Sequence, residues 1–214
     1  MQQHPHNLDV QRRRARQGAL GLWAVVAFVV TGSLASAHEY TLPHPTRRDR
    51  VLNQALAAQR TPDEVGRFGV THVMYAACRC SQSIIDHLEA RGARKDVAEH
   101  VVLVGRDDEL ATRITRAGYR LDNIEPLQLQ QKYGLEAAPM LIIADARGDI
   151  AYMGGYTQHK QGLDIRDSAL IDELIAGKRA AELPLLGCAV SRALQRLIDP
   201  FGFKYSGEGS GDVQ

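Results

Sequence analysis

Apolar runs and helix-period stripes take turns along most of this chain. Continuous apolar runs bounded by turn residues predict buried strands over 70–76, 101–104 and 140–144, with a further strand over 119–123. Between them the apolar positions recur at helical spacing. Ile84, Ile85 and Leu88 mark a helix over 81–92 that Gly92 stops. Asp107 or Asp108 caps a second helix that runs to Ala117 and ends at Gly118. A third covers 126–133 and closes at Gly134, and the last runs over 167–181. Asp145-Ala146-Arg147-Gly148 is a turn from which 149–154 pairs back as a hairpin. The order β-α-β-α-β-α-β-β-α predicts an α/β layer fold, a central mixed β-sheet flanked by helices.

The segments around this domain differ in character. Ala19 to Ala37 carries no charge and follows a basic N-terminal region, 1–18, that contains Arg12-Arg13-Arg14-Ala15-Arg16. It reads as a signal-peptide core or a short membrane anchor, with arginines on the side that the positive-inside rule requires. Ala35-Ser36-Ala37 offers a small-x-small cleavage site. A buried core helix ranks last, because the basic and polar flanks leave it nothing to pack on. Either favoured reading puts 38–214 in an oxidising compartment outside the cytoplasm. The expected place is the bacterial periplasmic side, inner-membrane-anchored or secreted after cleavage near Ala37. Residues 38–62, with Pro43, Pro45 and Pro62, read as a polar linker ending in a short helix over 48–59. The α/β domain is expected over 63–183. Residues 184–214 are a C-terminal extension with a Gly/Ser/acidic tail from Ser206 that is expected to be disordered.

A formal net charge of +1 over 214 residues gives no nucleic-acid surface overall. The chemistry concentrates instead in Cys78-Arg79-Cys80, two of three cysteines at the point where the first strand turns into the first helix. Free N–H groups and partial positive charge at a helix start favour thiolate over thiol. A thiol pair there suits redox or metal chemistry.

Three segments resemble the thioredoxin-like superfamily, and within it the membrane-anchored or exported TlpA/redoxin-type thiol-disulfide proteins. Val73-Met74-Tyr75-Ala76-Ala77-Cys78 sits like the family's strand running into its nucleophilic cysteine. Gly134-Leu135-Glu136-Ala137-Ala138-Pro139-Met140 resembles the segment that carries the family's cis-proline. Residues 141–150 resemble the hairpin that follows, with Gly154-Gly155-Tyr156 after it. The resemblance covers about residues 63–183. It departs in the motif: Ser81 stands three residues after Cys78, where the usual Cys-x-x-Cys has its second thiol, and Ala77 replaces the common tryptophan. Neither Tyr75 nor Ala77 is the threonine that peroxiredoxins place before their peroxidatic cysteine, which disfavours peroxidase chemistry.

The resemblance implies a thiol-disulfide oxidoreductase in which Cys78 is the nucleophile and Cys80 resolves the mixed disulfide. A ring so tight lies near the edge of the usual disulfide Cα separation, ~4.4–6.8 Å. Strain of that kind predicts a potential more oxidising than a thioredoxin's ~−270 mV. Arg79 adds positive charge beside the thiols or is simply solvated. Pro139 is expected opposite the cysteines behind a cis Ala138–Pro139 bond, exposing backbone for a substrate strand. His72, on the same strand as Cys78, takes the position of a buried proton-relaying acid, and histidine as a residue type titrates near neutrality. The alternative is a histidine satisfied by backbone at the core edge. Cys188 is expected first as a buried, inert small hydrophobe. Otherwise it folds back beside Cys78 as a second resolving thiol, or pairs with a partner.

No cofactor or resident metal is expected. The partners are protein thiols and disulfides of the cell envelope, with a membrane electron donor or acceptor upstream. The rival reading is a Cu(I)-binding metallochaperone of the same fold, since two thiolates suit a soft ion and His87, His159, Met74, Met140 or Met153 can add a ligand. A third is a non-catalytic interaction module with structural cysteines.

Overall fold

The computed structural model describes residues 6–37, 41–47, 49–160, 162–202 and 204–205. The tail from Ser206, part of the expected linker (38–40 and 48) and the first five residues lie outside them. The chain forms two compact units, Met1–Tyr40 and Thr41–Gln214.

The first unit is one helix, α1 (His6–Ala37). Its stretch Arg12–Gly32 is long and apolar enough to cross a membrane, and none of that stretch is buried. This suits a signal peptide or an anchor.

In the second unit β1 (Gly69–Tyr75) is the central strand. It pairs in parallel with β2 (Ala98–Val104), which pairs in parallel with β3 (Arg120–Ile124). Beyond a two-residue strand, β4 (Ala137–Ala138), the chain returns through β5 (Met140–Ala144) and β6 (Ile150–Gly154). Strand β5 runs antiparallel to both β1 and β6, and the sheet order is β3-β2-β1-β5-β6. The period-2 alternation of β1 sends Val70, His72 and Met74 to one face and Val73 and Tyr75 to the other.

Helices cover both faces. On the first pack α3 (Arg79–Arg91), α4 (Asp108–Arg116) and α6 (Asp167–Ile175), through Ile85, Leu88, Ile114 and Ile171. On the second pack α2 (Arg50–Gln59) and α5 (Pro126–Tyr133), through Leu52, Leu56, Leu129 and Tyr133. This is the thioredoxin-like α/β architecture, a mixed central sheet flanked by helices.

Three expectations change. Residues 41–62 are not a linker. Asp49 caps α2 by accepting from Val51 N–H at 2.8 Å, and Leu42, Leu52 and Leu56 are core residues. The prolines and polar residues that suggested a linker only frame a helix with one apolar face. Helix α6 stops at Ile175 rather than 181. Gly177 takes φ 73°, and Lys178 N–H closes on the Glu173 carbonyl at 2.9 Å, a left-handed helix stop. The extension after 183 packs onto the domain rather than trailing from it. It contains β7 (Cys188–Ala189) and α7 (Arg192–Ile198), and β7 pairs antiparallel with β4, Cys188 opposite Ala138.

Candidate functional site

The loop after β1 sets the site. Cys78 N–H donates to the Tyr75 carbonyl at 2.9 Å, and Cys78 becomes the N-cap residue of α3. Ser81, at the position where a Cys-x-x-Cys motif would carry its second thiol, is fully buried. Its hydroxyl accepts from Tyr75 N–H at 2.9 Å, so this side chain ties the loop to the strand it leaves. Gln82 adds a second tie, donating to the Ala76 carbonyl at 2.9 Å. The missing thiol is thus replaced by a loop-fixing hydroxyl.

Cys78 is bonded to Cys188, with Cα atoms 6.1 Å apart and a sequence separation of 110. Cys80 is a free, half-buried thiol. The pairing expected between Cys78 and Cys80 is therefore replaced by a long-range one, and Cys188 is not an inert core cysteine. A strain argument built on the three-residue ring does not apply to a 110-residue loop. Cys78 itself has no exposed surface. The Ala138–Pro139 peptide is cis, and the Ala138 carbonyl oxygen lies 4.0 Å from Cys78 Sγ. Cys78, Cys188, Ala138 and Pro139 thus meet where β4 and β7 pair.

The strap that delivers Cys188 is held on both sides of it. Upstream, Leu42 N–H donates to the Leu185 carbonyl at 2.8 Å and Gly155 N–H to the Leu183 carbonyl at 3.1 Å. Downstream, Val190 N–H reaches the Glu136 carbonyl at 2.7 Å, the Ser191 hydroxyl binds the Glu136 carboxylate at 2.8 Å, and Ala189 N–H donates to the Tyr205 hydroxyl at 2.9 Å. Leu183, Leu185, Val190 and Leu194 are buried, each worth ~1.5–3 kcal/mol of apolar transfer. Gly187 is needed for close approach: a Cβ there collides with the Ala138 carbonyl and lies 2.6 Å from Pro139 Cδ. Gly187→Val is expected to cost ~1–3 kcal/mol by overpacking and to slow closure of the Cys78–Cys188 bond. Denaturant midpoints and reoxidation rates of the variant check this.

His72 lies on the opposite sheet face from the disulfide, fully buried. Its Nδ1 is 2.9 Å from the Tyr156 hydroxyl and its Nε2 is 3.3 Å from Glu99 Oε1. The backbone-satisfied alternative is excluded by these side-chain partners. Arg91 bridges Glu99 at 2.5 Å and Asp167 at 2.9 Å, and His87 binds Asp167 at 2.8 Å. Burial pushes the Glu99 carboxyl up, but hydrogen bonds from His72 and Arg91 outweigh it and hold the group at about 2. Burial drives the Tyr156 hydroxyl well above its ordinary value, so it stays protonated. Tyr156 also lines a groove of about 360 Å³ together with Arg79, Cys80, Pro139, Leu163 and Leu186. The histidine is therefore linked to the groove through Tyr156, not placed against a sulfur. Sequence reading passed over Tyr156 as a site residue; its place directly after Gly154-Gly155, at the end of the hairpin, was the available signal.

The copper ligand set does not assemble. Among the described residues no three His, Cys, Asp or Glu side chains converge as a metal site. Met74, Met140 and Met153 are core residues, His87 is engaged by Asp167, and His159 is exposed.

No family model matches the chain, and no curated protein matches it. Solved structures do. A hypothetical protein of Sinorhizobium meliloti aligns at TM-score 0.45 and 17% identity, over 59% of this chain and 80% of its own. The thioredoxin domain of a thiol-disulfide oxidoreductase of Bacteroides vulgatus aligns at TM-score 0.37 and 15% identity, over 51% and 81%. A secreted Mycobacterium tuberculosis disulfide oxidoreductase homologous to E. coli DsbE aligns at 0.36 and 10%, over 54% and 84%. These are distant likenesses of chain trace, and two of the three proteins are named as disulfide oxidoreductases.

Proposed function

We propose that this protein exchanges electron pairs with protein thiols and disulfides, with Cys78 and Cys188 as the redox couple. The observation that carries the reading is the bond between them. It joins the first turn of α3 to a strand end beside Pro139, in a fold whose sequence resembles thiol-disulfide proteins. In the reducing direction the Cys78 and Cys188 thiolates pass two electrons to a partner disulfide, whose two sulfurs leave as thiolates while the Cys78–Cys188 bond forms. In the closing step Cys188 thiolate attacks Cys78 Sγ, expels the thiolate bonded to it and restores the Cys78–Cys188 bond. Two electrons enter the partner and two leave the cysteine pair; the reverse sequence oxidises a partner dithiol. The strap supports this, because it keeps Cys188 beside Cys78 through contacts that do not depend on the bond. The partners proposed are envelope proteins, reached from the periplasmic side behind the apolar N-terminal segment.

An equilibrium titration against glutathione buffers, with mass mapping of each disulfide, tests the reading. The expected result is a reversible two-electron transition of the folded protein in which the oxidised form maps to Cys78–Cys188. A bond that opens only on unfolding would make it a structural cross-link and overturn the proposal.

A further inference from the structure

The redox couple is closed to a bulky partner from the side where a substrate strand would pair. The β4 edge is already paired by β7, and Gly187 packs so closely on Ala138 and Pro139 that a side-chain-bearing strand does not fit there. The strap's anchors on either side of Cys188 do not involve sulfur, so reduction alone leaves that edge occupied. Cys78 has no exposed surface from which to meet a partner, and Cys188, though only half-buried, does not line the groove beside Pro139 and Tyr156. One thiol of the three has another outlook. Cys80 stands two residues after Cys78, packs against the same apolar cluster as Cys78 and Cys188, and lines the groove with Pro139, Tyr156, Leu163 and Leu186. The groove has the volume for several side chains of an incoming polypeptide, and its walls are mainly apolar.

We propose that Cys80 is the entry thiol, through which a cysteine-bearing polypeptide docked in this groove reaches the Cys78–Cys188 couple. The inference rests on the exchange activity proposed above and specifies its route. In the oxidising direction, Cys80 thiolate attacks Cys78 Sγ; a Cys80–Cys78 bond forms and Cys188 leaves as thiolate. A partner thiolate in the groove attacks Cys80 Sγ, forming a partner–Cys80 disulfide and releasing Cys78 thiolate. The partner's second thiolate attacks its own bonded sulfur, closing the partner disulfide and releasing Cys80 thiolate. The partner loses two electrons and two protons, and Cys78 and Cys188 gain them. The Cys-x-Cys ring is then a transient carrier between a store and a port, which gives the one-residue spacing a use.

The test takes the oxidised full chain and a synthetic peptide carrying a reduced Cys-x-x-Cys pair, with acid quenching and mass mapping. The expected trapped adduct is peptide–Cys80. Oxidised Cys80→Ser, with Cys78–Cys188 confirmed by mapping, is expected to be reduced by the peptide at least about tenfold more slowly than the unaltered chain. An adduct on Cys188, or a Cys80→Ser chain reduced as fast as the unaltered one, overturns the entry role while leaving the exchange reading intact. An unaltered chain that the peptide does not reduce in its folded state overturns both. Adduct mapping uses the unaltered chain, so a folding defect in the variant does not decide the outcome.

Discussion

Cys78→Ser is expected to abolish thiol-disulfide exchange and to lower stability by about 4 kcal/mol relative to the oxidised chain. The first effect follows because Cys78 is the sulfur common to the observed bond and to the proposed Cys-x-Cys intermediate. The second follows from loop closure. A cross-link spanning 110 residues removes more freedom from the unfolded chain than a short one does. The same cost applies when the unaltered protein is reduced, so denaturant midpoints of reduced protein and Cys78→Ser should nearly coincide. Adding a dithiol should shift the unaltered chain and leave the variant where it was. The reduced form is expected to stay folded, because Leu183, Leu185, Val190 and Leu194 hold the strap by burial alone. Retained exchange activity in the variant would remove Cys78 from the mechanism. A midpoint equal to that of the oxidised chain would remove the cross-link from the stability account.

Arg91→Met is expected to cost ~3–5 kcal/mol at neutral pH, the largest effect of any substitution away from the cysteines. Arg91 lies between two carboxylates whose side chains are essentially without exposure, Glu99 at 1% and Asp167 at 0%. Removing the guanidinium leaves Asp167 with His87 and Glu99 with His72 as their side-chain partners. The pH dependence has a definite sign. In the unaltered chain Glu99 is held at about 2, below its ordinary 4.5. Its stabilising contribution is therefore complete above about 4.5 and is lost as pH falls toward 2. Without Arg91 the folded-state value moves up, the depression narrows, and the contribution shrinks across the whole neutral range. Urea midpoints measured in steps from about pH 3 to pH 8 check both points. A variant with the same midpoint at pH 7 and an unchanged acid profile would show that the ion cluster does not hold α3, β2 and α6 together.

This cluster also joins core to site. His72 connects Glu99 to the Tyr156 hydroxyl, and Tyr156 lines the groove beside Cys80. Proton exchange with the thiols is not built into a direct histidine–sulfur contact, as the position of His72 on the strand suggested. The strand places it on the face away from the disulfide, because side chains an even number of residues apart share a face and Cys78 turns off the strand before reaching either.

Legibility follows the range of the interactions concerned. Helix α5 and strand β5 have the predicted bounds, because a proline start, a glycine stop and an unbroken apolar run are all local signals. The cis Ala138–Pro139 bond, which the resemblance of the surrounding segment implied, is present. The packing of α2 was missed, since its apolar face is only three buried residues wide and lies among prolines and charges. The two-residue strands β4 and β7 have no periodic pattern to read; each exists through pairing with the other.

By itself the amino-acid sequence determined the α/β layer order and the apolar helix ahead of it, while its resemblance to thioredoxin-like proteins implied a thiol at a helix start opposite Pro139. The first two are written in spacings of a few residues, where backbone geometry leaves few choices. Only the tertiary structure decided which sulfur Cys78 meets. That choice depends on buried leucines, backbone hydrogen bonds and a glycine-wide gap that carry Cys188 across 110 residues to Ala138. A cysteine one residue away is always near in sequence, but a folded strap can hold a distant one closer to bonding geometry.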